Sequence, residues 1–361
     1  MSDRTPDFPS PDGDFPRDED ALMHQRGLAA EVGLIEGESA ALEVDELRAR
    51  GATPDEAEGI AKRKLGVGFW IATGIVGLLA LLALLAPVLP GLPSPVEQPS
   101  CSDPDFLAAA EALDLSCGQG IVLDQGLPPL SARLDGSVAV LGTDGLGRDQ
   151  LSRVIWGARV SLTVGFATIF LGIVIGGTIG LIAGYFRKGW DSSLMAGMDV
   201  LLAFPALLLA LAIVAIRGKG LVNSIIALTV VSIPTIARLV RANTLVVSQR
   251  EFVMAARTLG ARHTRVITRE ILPNASLALL PFIPLGAAIA VAAEGALAYL
   301  GQSVELPDPS WGAMISEGRP LLETTWWVPM IPAGFLVLLM LSLNYIGDRL
   351  REYFAIKEAV L

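Results

Sequence analysis

Six runs of apolar residues, each about as long as a bilayer's hydrocarbon core is thick, dominate this chain: 66–90, 160–185, 193–216, 221–240, 276–300 and 328–346. A helix needs roughly 20 such residues to span the membrane. The chain is therefore predicted to be an all-α polytopic membrane protein with six transmembrane helices. Its 361 residues are 52% hydrophobic and the mean hydropathy is +0.55, too apolar for an ordinary soluble domain.

Charge orients the spans. The formal net charge is −10, but residues 1–60 hold 16 acids against 5 bases, so the remainder is close to neutral. That acidic tail, poor in large apolar residues, cannot bury enough surface to offset ordering entropy and is expected to be largely disordered and cytoplasmic. It reads either as a docking arm or as a solvated extension. A weak helical pattern over 43–64 (Leu47, Ala52, Ala57, Ile60) predicts a short helix entering the first span. Lys62, Arg63 and Lys64 abut that span and hold the N-terminus inside. A cleavable signal peptide is not expected, because a long acidic tail precedes the run and the run is too long. Residues 91–158 carry nine acids and three arginines and read as extracytoplasmic. The core of the protein is then 159–350, with a cytoplasmic tail at 351–361. Both termini lie inside.

Several residues stand out within this frame. Cys101 and Cys117 share the outer segment with fifteen residues between them. In an oxidising compartment they either close a loop, worth about 3 kcal/mol, or remain two free thiols. Arg148 and Asp149, in a run of turn formers, are expected to hold the outer segment through local ion pairs. Gly172, Gly176 and Gly180 share one helical face and predict close backbone packing. Asp199 and Pro205 lie in the third span, where proline is expected to kink the helix. Asp199 reads either as part of the inner mouth of a pathway or as half of an interface ion pair. Glu294, in the fifth span, either lines a path or outer gate or pairs within the bundle. Pro281 and Pro284 are expected to bend that span. The two histidines and two cysteines make no metal constellation, and no catalytic or phosphate-loop motif occurs. No basic patch with interleaved aromatics points to nucleic acid. Catalysis within the chain is not expected, and any ATP and Mg would be bound by another subunit.

The stretch 248–274, SQREFVMAARTLGARHTRVITREILPN, departs from all of this. It is polar, sits between two spans, and belongs to a loop (241–273) with six arginines and two glutamates, the largest positive excess among the loops. Ser248 and Glu251 have capping-box spacing and predict a helix start. Phe252, Ala256 and Leu259 fall on one face, and Ala255 with Ala256 keep the surface thin. Gly260 stands where a left-handed C′ residue would end the helix. A second run, 262–272, is expected to end at Pro273.

The pattern Ala255-Ala256, Gly260, Leu272-Pro273 resembles the signature loop of ABC importer permeases. Two further stretches resemble the C-type subunit of dipeptide and oligopeptide permeases: 141–162, LGTDGLGRDQLSRVIWGARVSL, and 294–319, EGALAYLGQSVELPDPSWGAMISEGR. The resemblance runs from about residue 66 to the C-terminus. Glu270 departs from it, standing where the family often has histidine. The resemblance implies a multi-pass protein of the bacterial inner membrane that works with a second, B-type permease, two ABC ATPase subunits and an extracytoplasmic substrate-binding protein. It makes 248–274 a coupling loop that docks on the ATPase through Glu251, Phe252, Ala255, Ala256, Leu259, Gly260 and Pro273. It implies peptide cargo, with nickel chelates or another small solute as the alternative. A lone secondary transporter would predict intramembrane ion ligands and inverted repeats, of which only Asp199 and Glu294 offer a trace. A passive membrane anchor would not need breaks at Pro205, Pro234, Pro281 and Pro284.

Overall fold

The computed structural model describes residues 51, 54–88, 94–95, 124–134, 136–304 and 308–360. The acidic tail before residue 51, Cys101 and Cys117 lie outside the described residues. Leu65–Arg351 forms one compact unit. Among the described residues five helices are long and apolar enough to cross a membrane, and a bent helix pair makes a sixth.

In chain order the elements are α1 (Pro54–Leu85), β1 (Ser131–Ala132), β2 (Val138–Ala139), α2 (Gln150–Phe186), α3 (Lys188–Leu202), α4 (Ala206–Arg217), α5 (Leu221–Val247), α6 (Glu251–Thr258), α7 (His263–Arg265), α8 (Leu272–Leu277), α9 (Phe282–Tyr299), α10 (Trp311–Gly318) and α11 (Trp327–Val360). The strands β1 and β2 pair antiparallel in a minimal hairpin. Gly66, at φ 61°, interrupts α1 at the start of its apolar part.

Helix α2 is the centre of the bundle, and glycine explains how. In lipid there is no hydrophobic drive between helices, so close van der Waals packing must hold them. A Cβ built on Gly176 would stand 2.7 Å from the Ile233 carbonyl oxygen, and one on Gly184 2.9 Å from that of Arg241. At Gly180 the Ala237 carbonyl oxygen is closer still. The expected small-residue face is thus the α2–α5 contact, with Gly184 extending it by one turn. On another side Gly165 admits Val291 and the backbone of Ala287 from α9.

Helix α2 begins ten residues before the apolar run. The Asp149 carboxylate accepts the Ser152 backbone N–H at 2.7 Å, an N-cap that places the helix start in the polar outer segment. Trp311 of α10 then covers the exposed turn. It is fully buried against Gly157, and its indole N–H donates to the Val154 carbonyl at 2.9 Å. Trp311→Phe keeps most of the packing and loses that bond, so a stability loss of about 1–2 kcal/mol is expected, read as a lower thermal midpoint in detergent.

The prolines fall into two groups. At Pro205 the third span breaks into α3 and α4, bent by 85°, and Pro205 stands as the residue before α4. Pro281 and Pro284 do not bend the fifth span as expected. They sit at the N-cap and first turn of α9, where backbone N–H groups have no intrahelical partner to lose. That shortens the span to Phe282–Tyr299.

Candidate coupling hairpin and the groups around it

The loop between α5 and α9 is a helical hairpin. Its first helix begins at Glu251, not at Ser248. The capping box does not form: Ser248 caps α5, and its hydroxyl donates to the Leu245 carbonyl at 3.1 Å. The long preceding helix has claimed the residue. The other end follows the sequence pattern. Gly260 has φ 80°, its N–H reaches the Arg257 carbonyl at 3.0 Å, and the Ala261 N–H reaches that of Ala256 at 3.1 Å. These two bonds make a Schellman motif, which needs the left-handed conformation glycine takes cheaply.

Pro273 does not end the second run. Residues Val266–Ile271 form a π turn, in which the Leu272 N–H bonds to the Ile267 carbonyl five residues back. Pro273 follows at the start of α8. The widened turn lets the chain pass a residue that has no N–H and whose ring crowds the preceding turn.

The hairpin has an inner and an outer side. Val253, Val266 and Ile271 are fully buried and cluster with Ala275 and Tyr185. Phe252, Met254 and Leu259 are 43%, 51% and 87% exposed. Glu251, Ala255, Gly260 and Pro273 are exposed and Ala256 half-buried. The helix therefore spends one valine on its own core and leaves its larger apolar groups uncovered. Sequence reasoning missed the anchoring of the hairpin: Tyr185 of α2 lies 2.7 Å from His263 Nδ1, and Arg257 stacks over its ring.

Asp199 and Pro205 lie apart from the hairpin. Asp199 is ion-paired to Arg238 at 2.6 Å, with both side chains more than half exposed. A second pair not foreseen, Asp191 with Arg241, is bidentate at 2.5 and 2.7 Å. All four line a cavity of 350 Å³ between α3 and α5. The spacing of Asp191 and Asp199, eight residues or about two turns, was the available signal.

Glu294 is fully buried and takes hydrogen bonds from the Ser303 and Ser161 hydroxyls at 2.9 and 3.3 Å. It thereby joins α9 to α2 and to the segment before α10. Around the start of α2, Arg148 binds Asp144 at 2.6 Å and Glu317 at 2.6 Å, and Arg153 binds Glu317 at 2.9 Å. The Arg148 ion pairs foreseen from sequence thus form, but they reach across to α10 as well as locally. These charges border a cavity of 460 Å³. Burial holds the Asp149 carboxyl above the usual carboxylate range, against the opposing effects of the Ser152 N–H and Arg133.

Residues 176–357 match the family described as binding-protein-dependent transport system inner membrane component. The chain is 40% identical over 224 residues to the dipeptide transport system permease protein DppC of Alkalihalophilus pseudofirmus, covering 62% of this chain and 74% of that one. It is 40% identical to the glutathione transport system permease protein GsiD of Pectobacterium atrosepticum, covering 59% and 70%. It is 41% identical to the di/tripeptide permease DppC of Pseudomonas aeruginosa, again covering 59% and 70%. Among solved structures, it aligns with an inward-facing form of the MetNI methionine ABC transporter at 22% identity and TM-score 0.47, over 58% of this chain and 96% of that one. The family match takes in the last three turns of α2, the hairpin, α9 and most of α11, and the chain belongs to the binding-protein-dependent transport system inner membrane components, the permease subunits of ABC importers.

Proposed function

We propose that this chain is the C-type permease subunit of a bacterial inner-membrane importer for di- or oligopeptides, and that 248–274 couples it to ATP hydrolysis in partner subunits. The observation that carries the coupling role is that the apolar residues Phe252, Met254 and Leu259 stay exposed along and just past a short helix closed by the Gly260 turn. Exposed apolar side chains gathered on one element mark an interaction surface. The relatives named for dipeptide, di/tripeptide and glutathione transport support peptide cargo.

In this reading a binding protein delivers substrate outside. A B-type permease supplies the other half of the pathway, and two ATPase subunits bind ATP and Mg inside. The arginine-rich hairpin and both termini face the cytoplasm, following the charge asymmetry. ATP binding closes the ATPase pair. The hairpin moves with it as a rigid body because its two helices share a buried core. Asp199 and Pro205, at the broken α3–α4 span, lie where a pathway wall could hinge, and Glu294 braces the outer gate.

Cysteine placed at Leu259 tests the docking. In the complete complex it is expected to cross-link to an ATPase subunit through a short bifunctional maleimide, with a yield that changes between nucleotide-free and ATP-bound states. Absence of any cross-link in every nucleotide state would count against the assignment. Uptake of radiolabelled dialanine, trialanine and glutathione into proteoliposomes holding the full complex and its binding protein tests the cargo. Uptake of none of them excludes the peptide reading.

A further inference from the structure

We propose that Tyr185 is the pin through which hairpin movement enters the bundle, and that α2 is the rod that carries it to the outer segment. This rests on the docking reading above.

Tyr185 is the second-last residue of α2 and is 8% exposed. It touches both limbs of the hairpin. The Arg257 guanidinium, on α6, lies 4.8 Å from its ring centroid. His263, at the start of the second limb, meets its hydroxyl at 2.7 Å and its ring edge-on at 5.7 Å. Gly260 lies between those two contacts in sequence, so a tilt of the hairpin pushes on the tyrosine from one side or the other. The remaining ring surface packs with Val253, Val266, Ile271 and Ala275.

What Tyr185 can move follows from its helix. Gly184, the preceding residue, is pressed against Arg241 and Thr244 of α5. The helix then runs unbroken for 37 residues, about 55 Å, to the turn where Trp311 and Glu317 of α10 are fastened. It contains no proline, whereas α5 contains Pro234, α11 contains Pro329 and Pro332, and α3–α4 are broken. Kinks arise mainly at such residues. A displacement of Tyr185 is thus passed along an unbroken helix to α10, while α5, α11 and the α3–α4 pair have places to bend.

The hydroxyl of Tyr185 can be removed with little change in shape. The readout is the factor by which the binding protein stimulates ATP hydrolysis by the full complex in lipid nanodiscs. Tyr185→Phe is expected to lower that factor about fivefold, the net effect of one lost hydrogen bond. His263→Ala, which also removes the edge-on ring contact, should lower it at least as much, and the double variant no further than His263→Ala alone, because both remove the same hydrogen bond. His263→Gln, which keeps a hydrogen-bonding group there, should recover most of it. A merely structural role would lower thermal midpoint and all activities together and leave the factor unchanged, and that result overturns the proposal. So do losses that multiply in the double variant. A Leu259→Asp complex separates the two ideas. Normal stimulation in it removes the docking reading itself. Lost stimulation there, with a normal factor in Tyr185→Phe, removes only the pin.

Discussion

Gly180→Val is expected to prevent assembly of the folded protein. The new Cβ would overlap the Ala237 carbonyl oxygen, with the Arg241 nitrogen 2.9 Å and Val240 Cβ 3.0 Å away. Two of those three neighbours are backbone, so no side-chain rotation relieves the clash. The helices must separate, and separation undoes the contacts at Gly176 and Gly184 one turn to either side. Overpacking costs typically about 1–3 kcal/mol where side chains can adjust, and more where they cannot. Here it also removes the packing that substitutes for hydrophobic drive in lipid. The measurement is the yield of monodisperse protein in detergent and its thermal midpoint. Gly177→Val is the control, since nothing lies closer than 3.9 Å to a Cβ there, and it should behave like the parent. A Gly180→Val protein with an unchanged midpoint would falsify the backbone contact.

Which features were legible in the sequence follows from how local their causes are. The bilayer dictates run length, so the spans could be read directly. Glycine spacing foretold the α2–α5 face, and Gly260 revealed its turn because one residue type takes that backbone cheaply. Pro205 broke its helix as expected. Ser248 misled because two helices compete for it, and the motif does not say which one wins. Pro273 misled because a π turn, invisible to periodicity, absorbs it. Contacts between distant positions were out of reach. Tyr185 and His263 are 78 residues apart, Asp191 and Arg241 are 50, and Arg153 and Glu317 are 164. Each of those residues is unremarkable alone, and only the fold brings the partners together.

Replacing Leu259 and Phe252 with aspartate should abolish uptake while leaving the chain folded. Leu259 is 87% exposed and Phe252 43%, so neither holds much of the protein's own core. Surface substitutions of this kind usually alter stability by less than about 0.5 kcal/mol. The cost falls on the interface. Central apolar anchors of protein contacts are each worth about 2–4 kcal/mol when truncated, and an unpaired carboxylate buried in their place adds a desolvation penalty. One substitution is then expected to weaken docking on the order of 30-fold or more, and the pair to lower uptake in proteoliposomes beyond detection. Gly260→Pro should reach the same end by another route. Proline is held near φ −65° and has no N–H, so it can neither take φ 80° nor bond Arg257. The hairpin would open, and its apolar residues would point elsewhere while remaining present. If the aspartate pair blocked uptake and Gly260→Pro did not, recognition would depend on the α6 surface alone. If only Gly260→Pro acted, the shape of the turn would be the part that is recognised. Normal uptake in all of them would remove the hairpin from the drive mechanism.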